Sequence, residues 1–130
     1  MGKNLSATAG LAASLKVLAD PTRLAILDLL MEGMQCNCVI GDQLGLPMNL
    51  VSHHLRVLRE AGWVNAQRDP LDSRWVYYSV NEHKLTQLRQ QLAAFLDPKR
   101  IQPRLPTCGP QLACGCAPQP TESTATTSRT

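Results

Sequence analysis

The sequence predicts a mainly α-helical domain that carries one β-hairpin. Apolar residues recur at helical spacing over most of the first 97 residues. Two β-favouring runs, residues 63–68 and 75–80, flank a polar loop of about five residues. The composition then changes, because six of the nine prolines lie from Pro98 onward. We therefore expect a folded domain over residues 1–97 and a flexible Pro- and Thr-rich tail over residues 98–130.

Two helices are predicted ahead of the first cysteine. Leucines at helical spacing indicate the first helix: Leu11, Leu15 and Leu18. The second begins with Asp20 as N-cap and Pro21 at its first position, and Gly33 ends it. Its core stripe is expected to consist of Leu24, Leu27, Leu30 and Met31.

Three further helices complete the pattern. A short helix over residues 39–45 is broken by Gly45-Leu46-Pro47, and another helix follows over residues 49–61, with Val51, Leu55 and Leu58 on its apolar face. The hairpin comes next, and a last helix covers residues 82–96, with a stripe of Leu85, Leu88, Leu92 and Phe95. This order predicts a winged helix-turn-helix, which is a DNA-binding architecture.

Composition excludes several classes of protein. No run of 18 apolar residues exists, so we expect no membrane span, and the polar N-terminus does not read as a signal peptide. We therefore expect a cytoplasmic protein with reduced thiols, which suits an odd count of five cysteines. The net charge of +3 permits a nucleic-acid partner without demanding one. We find no nucleophile–base pair and no phosphate loop, so we expect no enzyme.

The predicted second helix of the helix-turn-helix exposes side chains that can contact DNA. With its apolar face buried, the residues that point outward are Asn49, Ser52, His53 and Arg56. Asn can pair with adenine and Arg with guanine, while Ser reaches a base or a phosphate. An ordinary solvated helix face is the alternative, but the short turn and the hairpin favour DNA binding. His54 lies between the two faces, and we expect it to be packed and hydrogen-bonded.

Arg74 is the predicted DNA contact of the hairpin. It is placed to reach a phosphate or a minor groove. The alternative is an ion pair with Asp69 or Asp72.

The two outer helices carry apolar residues that a dimer could bury. Leu11 and Leu15 could meet Leu88, Leu92 and Phe95 across a two-fold axis. Such a homodimer would place two DNA-reading helices about 34 Å apart, which is one DNA turn. The alternative is that these residues fill the core of the monomer, and both can hold at different positions.

Cys36 and Cys38 are the candidate metal ligands. In a helix they would lie about 200° apart and could not share an ion, whereas in extended backbone residues two apart share a face. Paired coordination therefore requires non-helical backbone at residues 36–38, and ion binding would compete with a DNA-binding shape. The alternative is that one thiol is a small buried apolar group.

Four segments together resemble one protein family. They are VLADPTRLAILDLL, QCNCVIGDQLGL, NLVSHHLRVLREAGWV and DSRWVYYSV. In this order they are similar to the ArsR/SmtB family of metal-sensing repressors, and the match covers most of residues 11–96. The resemblance implies a dimeric winged-helix repressor that leaves its operator when metal binds. It also implies that Cys36 and Cys38 correspond to the arsenic-sensing motif, and that Ser52 and His54 correspond to the family's recognition residues.

The chain departs from the family's arsenic sensors at one position. Their third cysteine corresponds here to Gly41, so a third sulfur must come from Cys108, Cys114 or Cys116 in the tail. Closing a long flexible loop adds little entropy cost, so a tail thiol can return to the pair. The family's second metal site on the last helix looks absent, because that region offers only Glu82, His83 and Asp97.

The sequence thus predicts a repressor that releases its operator on binding trivalent arsenic, with antimony as a related inducer. Three alternatives remain. Two C-x-C pairs could hold tetrahedral cadmium, lead or zinc. Oxidation could link Cys36 or Cys38 to the tail. The chain could also be a metal carrier that binds no DNA.

Overall fold

The fold is a winged helix-turn-helix, as predicted. The computed structural model describes residues 5–103, 105–106 and 108–110. The chain divides into two units, Met1–Asp97 and Pro98–Thr130. The helices of the first unit are α1 (Ser6–Leu18), α2 (Pro21–Leu30), α3 (Asn37–Leu44), α4 (Met48–Glu60) and α5 (Glu82–Phe95), and the strands are β1 (Gln35–Cys36), β2 (Val64–Arg68) and β3 (Val76–Val80). None of the described helices is both long and apolar enough to cross a membrane.

Local signals set most helix ends where the sequence places them. The Asp20 carboxylate accepts the backbone N–H groups of Thr22 and Arg23 at 2.8 and 3.1 Å, which confirms the predicted N-cap of α2. Gly45 ends α3 in the left-handed region with φ of 64°, and Gly62 follows α4 with φ of 86°. These two glycines fix the turn between α3 and α4 and the passage from α4 into the wing.

The sheet contains a strand that the sequence pattern did not reveal. Its order is β1-β3-β2, and both pairings are antiparallel. The two-residue strand β1 pairs Gln35 with Tyr78 and Cys36 with Tyr77. A strand this short has no alternation to detect, so only its partner strand defines it.

The core lies between α2, α3, α4 and the root of the wing. Its fully buried members come from each of these elements, and they include Ile26, Ile40, Val51, Leu55, Leu58 and Trp63. The apolar face predicted for α4 is therefore confirmed. The stripe predicted for α2 is wrong at two positions, because Leu24 and Met31 are 51% and 52% exposed and Ile26 is buried instead. Residues 24 and 31 are seven apart and share the outer face of the helix.

Gly41 lies where the third cysteine of the resemblance would be, and the space around it is tight. It is buried in α3. A Cβ added to it would lie 3.1 Å from the carbonyl oxygen of Leu46 and 3.4 Å from Met48 Sδ. The turn between α3 and α4 therefore packs against this glycine, and any side chain would push the turn away.

We expect Gly41→Ala to lower the free energy of unfolding by about 1 to 3 kcal/mol, because its methyl group must displace backbone in a packed turn. Urea unfolding followed by circular dichroism measures this. The matched control is Gly10→Ala in α1, where a Cβ meets nothing within 4 Å. That change should stabilise the protein by about 0.5 to 1 kcal/mol. Equal effects of the two substitutions would contradict the close packing at Gly41.

Candidate functional site

The two thiols meet at the junction between β1 and α3. Cys36 is the last residue of β1 and the N-cap of α3, with φ of −81° and ψ of 159°. Cys38 lies in the first turn of the helix. Their Sγ atoms are 3.2 Å apart, and both thiols are free. Cys36 is buried and Cys38 is half-buried, so the pair has one sulfur toward the interior and one closer to solvent.

The expectation that residues 36–38 must all be non-helical is wrong. Only Cys36 is extended, because α3 begins at Asn37, two residues earlier than predicted. One extended residue is enough to direct its side chain back over the first turn of the helix, where the Cys38 sulfur lies. The two sulfurs therefore come within 3.2 Å of each other while α3 keeps its helical start at Asn37.

The two thiols differ in acidity. Burial alone would raise the pKa of Cys36, but the backbone N–H of Val39, the Cys38 thiol and the Cys38 backbone outweigh it and lower that pKa below its usual value. The hydrogen bond to Cys36, then burial and the nearby negative charge, raise the pKa of Cys38. Cys36 is therefore the thiol of the pair that ionises more readily, and the Cys38 thiol donates a hydrogen bond to its sulfur. A thiolate is the form that binds metal.

Further ligands are not assembled around this pair in the described part of the chain. No group of three or more His, Cys, Asp or Glu side chains there could hold a metal ion. Of the predicted third ligands, Cys114 and Cys116 lie outside the described residues. Cys108 is half-buried and disulfide-bonded, and neither Cys36 nor Cys38 is its partner because both are free. As a thiolate ligand, Cys108 would have to be reduced first.

The thiol pair is joined directly to the wing. Cys36 pairs with Tyr77 across β1 and β3. The Tyr77 hydroxyl donates a hydrogen bond of 3.0 Å to the Asp69 carboxylate at the start of the wing loop. That carboxylate also accepts the backbone N–H groups of Leu71 and Asp72 at 2.7 and 3.2 Å. A continuous set of bonds therefore runs from the cysteine strand to the tip of the hairpin.

The outer face of α4 carries the predicted DNA-reading residues. Asn49, Ser52, His53 and Arg56 are all exposed. The Arg56 guanidinium lies 3.2 Å from His53 Nδ1, and since Arg can only donate, this nitrogen accepts. The four side chains form one polar surface opposite the buried face of Val51, Leu55 and Leu58, and they have the donors and acceptors that base edges require.

His54 belongs to the interior rather than to that surface. It is only 7% exposed, which agrees with the packed position expected for it, so in the free protein it is not part of the exposed polar surface. Its alternative role as a base contact stays a prediction. Arg23 Nη1 donates to His54 Nδ1 at 3.3 Å, while Arg23 Nε donates to the carbonyl of Val17 at 2.7 Å. One guanidinium therefore ties the end of α1 to the recognition helix, and sequence reasoning missed this role of Arg23.

The wing arginine is paired within its own loop. Arg74 Nε and Nη2 donate to the two Asp72 carboxylate oxygens at 3.0 and 2.8 Å. The ion pair with Asp72 that was the alternative for Arg74 is therefore present in the free protein, and the phosphate contact stays a prediction. The Arg74 side chain is still 87% exposed, so the pair is worth little and can be exchanged for a phosphate. Arg68 braces the same loop by donating to the Ser73 carbonyl at 2.7 Å.

We expect His54 to make the protein less stable as the pH falls through the range below 6.5. Burial is the largest effect and lowers the His54 pKa from 6.5. The charges of Arg23 and His53 lower this pKa further, and the Asp20 carboxylate partly opposes them. As the pH falls, His54 in the unfolded chain takes up a proton at a higher pH than His54 in the folded protein. The stabilising contribution of neutral His54 is therefore complete above pH 6.5 and is lost as the pH falls from 6.5 to the lower pKa of the folded protein. Urea unfolding at about pH 7.5 and about pH 5.5 measures the loss.

The control for this loss is His54→Asn, whose amide oxygen can still accept from Arg23 but does not titrate. The pH-dependent loss should be smaller in this variant than in the parent. The carboxyl groups of Asp20, Asp69 and Asp72 have pKa values below 3.8, so they do not titrate in this window. An equal loss in both proteins would contradict the assignment to His54.

Known proteins match the region that holds this site. The model of the "Bacterial regulatory protein, arsR family" matches residues 20–66, from the start of α2 into β2. An uncharacterized HTH-type transcriptional regulator of Methanocaldococcus jannaschii is 39% identical over 74 residues, which are 56% of this chain and 80% of that protein. The arsenical resistance operon repressor of Escherichia coli is 39% identical over 52% of this chain and 56% of its own length. A cadmium resistance regulatory protein CadC homolog of Staphylococcus aureus is 31% identical over 66% of this chain and 68% of its own.

Solved structures have the same architecture. A crystal structure described as a possible transcriptional regulator for arsenical resistance is 34% identical, with a TM-score of 0.58 over 65% of this chain and 85% of that one. The homodimeric winged helix-turn-helix DNA-binding domain of a Mycobacterium bovis regulator is 25% identical, with a TM-score of 0.53 over 81% of this chain and all of that one. The fold, the matched segment and these relatives together show that the chain belongs to the arsR family of bacterial transcriptional regulators.

Proposed function

We propose that this protein is a homodimeric repressor that binds operator DNA and releases it when trivalent arsenic, or the related antimony, binds Cys36 and Cys38. The observation that carries the proposal is the 3.2 Å contact between two free sulfurs at the start of the first helix of the helix-turn-helix. Soft thiolates are the ligands that such ions prefer. Their position couples capture of the ion to the element that presents the recognition helix.

The sulfur geometry suits capture by small side-chain movements. A tetrahedral ion with sulfur bonds of about 2.3 Å holds its sulfurs about 3.8 Å apart. The pair in its 3.2 Å contact needs only to open slightly, and rotation about the side-chain bonds supplies this. Arsenic with three thiolates needs one further sulfur, which we assign to a reduced tail cysteine, Cys108, Cys114 or Cys116.

A divalent soft metal is the second candidate inducer. The relatives named above include a repressor of arsenical resistance and a homolog of a cadmium resistance regulator, so the family match does not choose between these ions. Two sulfurs at residues 36 and 38 with two from the tail would complete the tetrahedral set that cadmium or zinc takes. Arsenic needs one ligand fewer from the tail, and for that reason we place it first.

Two structural routes lead from the sulfurs to the DNA-binding surface. Helix α3 packs against α4 through Gly41, so a shift of α3 moves the turn that begins the recognition helix. Strand β1 pairs with β3, so a shift of Cys36 also reaches the wing. An ion that binds one arrangement of this junction better than the other changes the DNA-binding equilibrium by that difference in affinity.

The dimer is supported by apolar side chains that are partly exposed in the monomer. In α1, Leu15 is 40% exposed, and Phe95 in α5 is 44% exposed. Leu88 is buried in the monomer core, so it is not available to a partner. The homodimeric relative from M. bovis agrees with this arrangement, which would present two recognition helices to two half-sites about 34 Å apart.

We expect Cys36→Ser to bind operator DNA as tightly as the parent and to lose release by arsenite, because serine keeps the size of the side chain but cannot supply a thiolate. Fluorescence anisotropy of labelled DNA from upstream of its own gene, titrated with arsenite under reducing conditions, measures both properties. A truncation after Asp97 tests the tail, and weakened release in it would support a tail ligand. Normal release by Cys36→Ser would rule out the pair as the sensor.

We expect Arg74→Ala to weaken DNA binding and to reduce its salt dependence. Each phosphate contact adds about 0.9 to the magnitude of the slope of log affinity against log salt concentration. The magnitude of the slope should therefore fall by about 0.9 for each Arg74 side chain that contacts a phosphate. Asp72→Asn should raise affinity, because it releases Arg74 from its ion pair. Arg89→Ala in α5 removes the same charge from another element and serves as the control. An unchanged slope in Arg74→Ala would mean that Arg74 stays paired with Asp72 on DNA.

A further inference from the structure

The sulfurs of Cys36 and Cys38 are close enough to bond to each other. Their separation is 3.2 Å, and a disulfide bond is about 2.04 Å long. Closing the remaining gap of about 1.2 Å requires rotation of two short side chains. Both thiols are free, so each can take part.

The backbone on either side holds these sulfurs together. Cys36 is fixed by its pairing with Tyr77 in the sheet, and Cys38 is fixed in the first turn of α3. Ile40, two residues on, is fully buried and anchors the helix in the core. The half-buried Cys38 leaves the pair open to a small reagent from solvent. The pair thus has the proximity and the access that oxidation requires.

We propose that a hydroperoxide converts Cys36 and Cys38 into an intrachain disulfide, and that this disulfide prevents capture of the metal or metalloid. A thiolate of the pair attacks one peroxide oxygen, the O–O bond breaks, and a sulfenic acid and one water (from hydrogen peroxide) form. The second sulfur then attacks the first, the S–S bond forms, and the sulfenic hydroxyl leaves as water with the second thiol's proton. Two thiols and one hydrogen peroxide thus become one disulfide and two waters, and two electrons pass from sulfur to peroxide.

The disulfide does not mimic the bound ion. Oxidation draws the sulfurs together to about 2.04 Å, whereas a tetrahedral ion holds them about 3.8 Å apart. It also removes both thiolates. If the proposed function holds, the oxidised repressor therefore stays on its operator and ignores the inducer. A ring that spans a single intervening residue is strained, so reducing dithiols restore the sensor readily.

Peptide mass analysis of the full-length protein tests the bond itself. Trypsin releases residues 24–56 as one peptide that contains Cys36 and Cys38 and no other cysteine, and residues 105–129 as another that contains the three tail cysteines. After stoichiometric hydrogen peroxide and alkylation, we expect peptide 24–56 to be unalkylated and lighter by about 2 Da, for two lost hydrogens. Dithiothreitol should restore alkylation at both cysteines.

Two variants keep this test decisive. Replacement of all three tail cysteines by serine should leave the bond unaffected, because the pair closes on itself. Cys38→Ser should abolish it and leave Cys36 as a sulfenic acid or a more oxidised form. A disulfide that joins peptide 24–56 to peptide 105–129 in the parent, or addition of oxygen to the pair without loss of hydrogen, would overturn the proposal.

A binding measurement separates this proposal from the function on which its consequence rests. Arsenite binding, followed by the ultraviolet absorbance of arsenic–thiolate bonds, should occur in the reduced protein and be lost in the peroxide-treated protein. The oxidised protein should keep its DNA affinity, and arsenite should no longer release it. Undiminished arsenite binding after the disulfide forms would overturn the inferred block. Failure of the reduced protein to bind arsenite would instead refute the proposed function, while the mass analysis still decides whether the disulfide forms.

Discussion

The change from extended to helical backbone at Cys36 is the feature on which the proposed sensor chemistry depends. Cys36 has extended dihedral angles and pairs with β3, and α3 begins at the next residue. A cysteine two residues on in a continuous helix would point away from its partner. Because the turn occurs between the two thiols, their sulfurs meet at 3.2 Å. The same strand pairing that creates this contact also attaches it to the wing.

Glycine at position 41 shows how packing limits the ligands of this site. The turn between α3 and α4 lies so close that a Cβ would meet the Leu46 carbonyl oxygen at 3.1 Å. A third ligand one turn further along α3 would therefore require the turn between α3 and α4 to shift. The tight turn positions the recognition helix. Because position 41 supplies no sulfur, the proposed site needs its third sulfur from a tail cysteine.

Polar groups set the position of the two DNA-binding elements. Arg23 joins the end of α1 to His54 on the buried face of the recognition helix, so dimerisation and DNA contact would share one guanidinium. In the wing, Asp69 and Asp72 accept backbone N–H groups of the loop, and Asp72 holds Arg74 in an exposed ion pair. Exchange of that pair for a phosphate costs little in water. The basic surface is thus weak in the free protein, in agreement with a net charge of only +3.

Much of the fold and part of the site follow from the sequence by itself, because they depend on groups a few residues apart. The N-cap at Asp20, the buried face of α4, the hairpin and the outward polar residues of α4 are of this kind. Tertiary structure decided strand β1, the side of α2 that is buried, the partners of His54 and Arg74, and the backbone that brings the sulfurs together. Each of these depends on which surface a distant segment presents, and a pattern within one segment does not contain that information.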